Sequence, residues 1–131
     1  MANAVLVDSC YYIDRQRAGL DPFAELAVAA EMWEPITCGM VMLEVLRGIR
    51  VERDLAAYRE TLSVMTCVPT TGQIWETATE ILRRLERRGI TIPPQDAIIA
   101  ACALAEDAPV LTFDGHFSRI PGLTVMERLS Q

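Results

Sequence analysis

Apolar residues in this chain come in two rhythms, short unbroken runs and longer stripes at helical spacing, and the two alternate from end to end. AVLV at residues 4–7 is the first run, partly β-branched and halted by Asp8 and Ser9, which predicts a buried strand. YYIDRQR then predicts a short helix. At Asp21 an acid followed by proline marks a helix start, and Phe23, Leu26, Ala27, Ala30 and Trp33 fall on one face behind it. EPIT at 34–37 predicts a brief strand and GMVMLEVLR a mostly apolar helix stopped by Gly48. Val51, Leu55, Tyr58 and Leu62 line the next helix.

SVMTCVP at 63–69 has too few apolar members for a helix and predicts a short strand ending at Pro69. Thr70 and Gln73 have capping-box spacing, Ile74, Trp75, Ala78, Ile81, Leu82 and Leu85 form the stripe of a strong helix, and Gly89 closes it. Pro93 and Pro94 open a further helix, DAIIAACALAE, after which PVLTF and LTVME predict two last strands. Strands alternating with helices over the whole length predict an α/β fold with a mainly parallel sheet covered on both faces. With no linker, repeat or low-complexity tract, residues 1–131 are expected to form a single domain. In such sheets ligands bind outside the carboxyl ends of the strands, which draws attention to Asp8 and Asp114.

Composition narrows the chemistry. The 131 residues are 51% hydrophobic, ample for one core, yet no run approaches a membrane span and MANAVLVDSC lacks a signal peptide's basic start. A cytoplasmic protein is expected. Cys10, Cys38, Cys67 and Cys102 are scattered among apolar neighbours without a Cys-x-x-Cys pair, so they are expected to be reduced core residues. A single histidine, His116, gives little support for a zinc site or a histidine-based triad. A net charge of −6 argues against a broad basic face for nucleic acid, though not against an enzyme that acts on it, because bound cations can supply the missing positive charge. All 12 Lys and Arg positions are arginine.

Four acids stand in apolar surroundings. Asp8 follows VLV, Asp114 follows VLTF, Glu44 is the one charge in GMVMLEVL, and Asp96 precedes nine uncharged residues. Singly each has an ordinary explanation: a helix cap, a favourable place on a helix dipole, a turn, or an arginine partner. Together, with no lysine in the chain, they lack local counter-charge, and buried carboxylates stay ionised only with partners or a cation. A divalent-cation cluster accounts for all four, with Mg²⁺ or Mn²⁺ matching carboxylate oxygens. Crowding should also raise the proton affinity of at least one acid.

VLVDSCYYID, TCGMVMLEVLRG, PPQDAIIAACALA and VLTFDGHFSRIPGLTV, in that order from about residue 4 to 126, resemble a PIN domain, in particular the VapC-type toxins of bacterial toxin–antitoxin pairs. The most diagnostic parts are T-x-D-x-x-F with the following Ile-Pro-Gly-Leu, and the Asp-Ala-x-Ile-Ala-Ala helix start. The resemblance implies a Rossmann-like three-layer α/β/α fold and a metal-dependent endoribonuclease. It places the family's acidic cluster on Asp8, Glu44, Asp96 and Asp114, and its orienting hydroxyls on Ser9 and Thr112. It also implies an RNA substrate, a homodimer and a VapB-type antitoxin.

Rival readings have specific gaps. A phosphotransfer enzyme with a nucleophilic aspartate wants a partner lysine, which is absent. A dinucleotide-binding fold wants Gly-x-Gly-x-x-Gly after the first strand, also absent. A non-catalytic PIN-like module that binds RNA or protein remains the alternative. His116 is read as a surface turn residue rather than a general base, and Arg47, Arg50 and Arg119 as solvated or paired, with phosphate contact the other reading.

Overall fold

A computed structural model of the chain describes residues 2–129. It contains a five-stranded, fully parallel sheet in the order β3-β2-β1-β4-β5. The strands are β1 (Asn3–Val7), β2 (Trp33–Cys38), β3 (Cys67–Val68), β4 (Val110–Leu111) and β5 (Val125–Met126), with β1 at the centre. Val5, Leu6 and Val7 are fully buried, as a strand covered on both faces requires. Leaving β1, the chain builds one side of the sheet through β2 and β3, then crosses to the other side for β4 and β5. The strand order therefore reverses between β1 and β4, which places a crevice beyond their carboxyl ends.

Six helices supply the crossovers: α1 (Ser9–Arg17), α2 (Pro22–Val28), α3 (Gly39–Gly48), α4 (Glu52–Ser63), α5 (Gly72–Arg87) and α6 (Pro94–Ala105). Among the described residues none is long and apolar enough to cross a membrane. The expected three-layer α/β/α arrangement is met. Every residue of α6 from Asp96 to Ala103 is buried, because its alanine-rich surface lets α5 and α3 approach closely. Ile74, Ala78, Ile81 and Leu85 form the buried stripe of α5. Gly89 follows that helix at φ +76°, a left-handed conformation that a side chain resists.

Several local expectations need correction. The helix begun at Asp21 stops at Val28, since the chain turns there and the N–H groups of Met32 and Trp33 both donate to the Ala29 carbonyl. Trp33 consequently lies in β2, paired with Asn3 of β1, rather than on a helix face. The α5 cap is Thr71, whose hydroxyl accepts from the Ile74 N–H, and not Thr70. Trp75, assigned to the buried stripe, is exposed. Of the cysteines only Cys38 and Cys102 are core residues; Cys10 is half-buried, Cys67 is exposed, and all four are free thiols.

Candidate active site

The carboxyl ends of β1 and β4 deliver Asp8 and Thr112 to the crevice at the strand-order reversal. Asp8 is the cap of α1 and only 3% exposed; its Oδ1 accepts from the Ser9 N–H at 2.8 Å and its Oδ2 from the Thr112 hydroxyl at 2.8 Å. Both oxygens keep lone pairs after these bonds. Ser9 opens α1, and the packing of α1 on α3 brings its hydroxyl to Glu44, to which it donates at 2.9 Å. Glu44 has no ion-pair partner among the described residues, so the arginine that could have explained it is not there.

Thr112 links β4 to the next acid. Its hydroxyl gives its one hydrogen to Asp8 and accepts from the Asp114 N–H at 2.9 Å, which fixes the backbone entering the turn. Asp114 caps a 3₁₀ turn, Gly115–Arg119, by accepting from the His116 N–H at 2.9 Å. That turn folds the His116 ring back over the acids: Nδ1 lies 2.9 Å from Asp96 Oδ2 and 3.1 Å from Asp114 Oδ1. One continuous path of hydrogen bonds thus runs from Glu44 through Ser9, Asp8, Thr112, Asp114 and His116 to Asp96. The four acids and two hydroxyls singled out in the sequence all lie on this path, but of the acids only Asp96 and Asp114, with His116, have ligand atoms within 4.8 Å of one another.

The ordinary explanations for Asp8 and Asp114 hold as well, since each caps a helical turn while facing the crevice. Asp96 is different. It lies in the first turn of α6, where the helix dipole favours an anion, but its carboxyl reaches His116 instead of a backbone donor. Burial pushes its pKa up to about 6, Asp8 and Asp114 add to the rise, and the hydrogen bond to His116 opposes it. The proton affinity of Asp96 is therefore raised.

Two participants were not foreseen. His116 was read as a surface residue, yet its ring, though half in solvent, is the partner of two acids. The Asp-x-His spacing carried the signal, because an aspartate capping a tight turn folds the residue two places on toward itself. Cys10 was read as core, but its thiol lies 3.2 Å from the Thr112 hydroxyl and accepts from the Phe113 N–H at 3.3 Å. With the Thr112 hydrogen committed to Asp8, the thiol is the donor in that pair. Burial, reinforced by the Asp8 charge, pushes the Cys10 pKa up to about 12 and keeps it protonated.

Beside the acids a cleft of about 540 Å³ is lined by Gly89, Ile90, Thr91, Ile92, Asp114, Gly115, His116 and Arg119. Ligand atoms of Asp96, Asp114 and His116 all lie within 4.8 Å of one another, close enough to share one cation. The donors are mostly hard oxygens, the set that Mg²⁺ and Mn²⁺ favour.

The family model that matches this chain is the PIN domain, over residues 5–123. This chain belongs to the PIN domain family. Solved structures share its fold. A chain of VapBC2 from Rickettsia felis, bound to a DNA fragment from its promoter, superposes with a TM-score of 0.79 at 20% identity, covering 93% of this chain and 96% of that one. A chain of DNA-bound VapBC from Salmonella typhimurium gives 0.78 at 21% identity, covering 95% and 97%. Mycobacterium tuberculosis VapC20, described as a toxin that cleaves the sarcin–ricin loop, gives 0.65 at 22% identity, covering 87% and 92%. Comparison with curated protein sequences gave no match. The family expected from the motifs is the one found.

Proposed function

We propose that this PIN domain is a metal-dependent endoribonuclease, the toxin of a type II toxin–antitoxin pair, hydrolysing RNA phosphodiesters at Asp8, Glu44, Asp96 and Asp114. The observation that carries this reading is the hydrogen-bonded path joining the four acids at the carboxyl ends of β1 and β4. The solved structures of like fold support it: several come from VapBC complexes, and one is described as a toxin that cleaves the sarcin–ricin loop. A VapB-type antitoxin, a homodimer and a cytoplasmic setting follow from the same likeness.

In this reading Asp8, Asp96 and Asp114 hold Mg²⁺ or Mn²⁺, and Glu44 either orients water or holds a second ion. When bound, the cation makes a water more acidic and offsets charge on the phosphate under attack. The protein's part is to keep the oxygens in place. Ser9 and Thr112 fix Asp8 and Glu44 through their hydroxyls, and the Asp114 N–H bond to Thr112 keeps the last acid from swinging out. His116 bridges Asp96 and Asp114, supplying part of the compensation that burial demands. Arg119, on the wall of the cleft, is placed to meet an RNA phosphate.

Cleavage of a mixed structured RNA pool by the purified protein with Mn²⁺, Mg²⁺ or EDTA, beside Asp96→Asn, tests the reading. Cutting that needs metal and disappears in the variant is expected. Equal cutting by both proteins would point to contamination or a different site, and no cutting by a wild type that binds both metal and RNA would leave a binding module instead.

A further inference from the structure

Phe113 sits between Thr112 and Asp114, the two residues that carry β4 into the acidic site, yet the residue is 44% exposed. Its backbone is pinned, since the Phe113 N–H donates to Cys10 Sγ. The ring is held as well. Its centroid is 5.8 Å from that of Tyr11, tilted 36°, and the Arg15 guanidinium lies over both rings, 4.9 Å from the Tyr11 centroid and 5.1 Å from that of Phe113. Arg15 is itself fixed by Glu25, whose carboxylate accepts from Arg15 Nε at 2.8 Å and from the Tyr11 hydroxyl at 2.9 Å, and by Asp14. Two carboxylates thus already engage this guanidinium. It is poorly suited to clamping a phosphate and well suited to stiffening an aromatic surface.

An exposed, immobilised aromatic beside the reacting centre has one matching feature in single-stranded RNA, the flat face of a base. We infer that Phe113, braced by Arg15 and Tyr11, is the stacking platform for a nucleobase flanking the scissile phosphate. The inference rests on the ribonuclease reading and gives it a substrate class, an unpaired RNA segment such as a loop. Phe113 lies between Thr112 and Asp114 in the chain, and its N–H is tied to the Cys10 thiol 3.2 Å from the Thr112 hydroxyl; the inference sets the base adjoining a phosphate held over the acids against its ring. Stacking tolerates any base, and the platform positions the strand without choosing its sequence.

The test uses binding, read separately from cleavage. Fluorescein-labelled 12-nucleotide oligoadenylate, oligouridylate and a base-free ribose-phosphate oligomer of equal length are titrated by anisotropy in Mg²⁺ against Asp96→Asn protein, which arrests turnover. Protein carrying Phe113 should hold the base-bearing strands about 5- to 100-fold more tightly than the base-free one, the span expected of a single stacked base. Phe113→Ala in the same background should erase that preference, and Phe113→Tyr should restore it. Cleavage of the RNA pool by the Phe113→Ala single variant should fall in kcat/KM by a similar factor. If Phe113→Ala leaves both the preference and cleavage unchanged, the platform is refuted while the nuclease stands. A base preference lost in Phe113→Ala in a protein whose wild type never cuts RNA would keep the platform and strike the nuclease. If Phe113→Ala instead abolishes only inhibition by a co-expressed antitoxin, the ring is a protein contact and the inference is wrong.

Discussion

Replacing Asp96 with asparagine should make the metal-free protein more stable at neutral pH, although it should destroy the proposed activity. The Asp96 carboxyl has its pKa raised from 3.8 to about 6 by burial and by its acidic neighbours. The folded state therefore binds this proton more readily than the unfolded chain does, and stability falls as pH rises between those two values. The penalty is absent below about pH 4 and complete above about pH 6. It corresponds to roughly 3 kcal/mol at most, from 1.36 kcal/mol per pKa unit. Asparagine keeps the shape and removes the charge, so a gain of about 1–3 kcal/mol is expected at pH 7.5, or roughly 3–10 °C in Tm for a chain of this size. Thermal melts of both proteins in EDTA at pH 4 and 7.5 give the answer. The variant should melt higher at pH 7.5 and show little difference at pH 4. Excess Mn²⁺ should narrow or reverse the gap, since a ligand bound by the folded wild type stabilises it by mass action. No gain at pH 7.5, or the same gain at both pH values, would refute the account of Asp96.

Three further outcomes follow from the same geometry. His116→Ala should raise the Mn²⁺ concentration for half-maximal cleavage by about 10-fold, because the ring orients two acids; a fall of 10²-fold or more in kcat at saturating metal would instead mark acid–base catalysis. Thr112→Val removes the donor to Asp8 and strands the Asp114 N–H, so it should lower stability by about 1–3 kcal/mol in urea melts and lower cleavage too, whereas an unchanged midpoint would contradict the network. Gly89→Ala should cost about 1 kcal/mol through its φ of +76° alone, since a Cβ there meets no atom within 4 Å, and a thermal melt with unchanged Tm would contradict that.

The sequence made some of this legible for clear physical reasons. VLV and VLT announce strands because a parallel strand buried on both faces must be apolar throughout, and an acid directly after one has to sit at the sheet's carboxyl edge. The order β3-β2-β1-β4-β5 is harder to read, as it depends on which strands find each other after the crossovers. Trp33 misled because its spacing continues the helical stripe of Phe23 and Leu26, whereas the turn at Ala29 and pairing with Asn3 determine its place. Trp75 shares the period of α5, but the packing of that helix on α6 leaves its ring outside. The acids were visible as charges without neighbours of opposite sign. The roles of His116 and Cys10 needed the turn at Asp114 and the fall of α1 against β4, neither of which spacing alone supplies.

Whether the four acids hold a cation decides the proposed chemistry most directly. Crystals soaked in Mn²⁺, measured for anomalous scattering, should show a peak about 2.1 Å from carboxylate oxygens of Asp8, Asp96 and Asp114, with Glu44 facing it directly or through water. Such a peak would put a cation among the four acids beyond the carboxyl ends of β1 and β4. Mn²⁺ bound only elsewhere, or a crevice left empty at millimolar Mn²⁺ and neutral pH, would contradict the central claim.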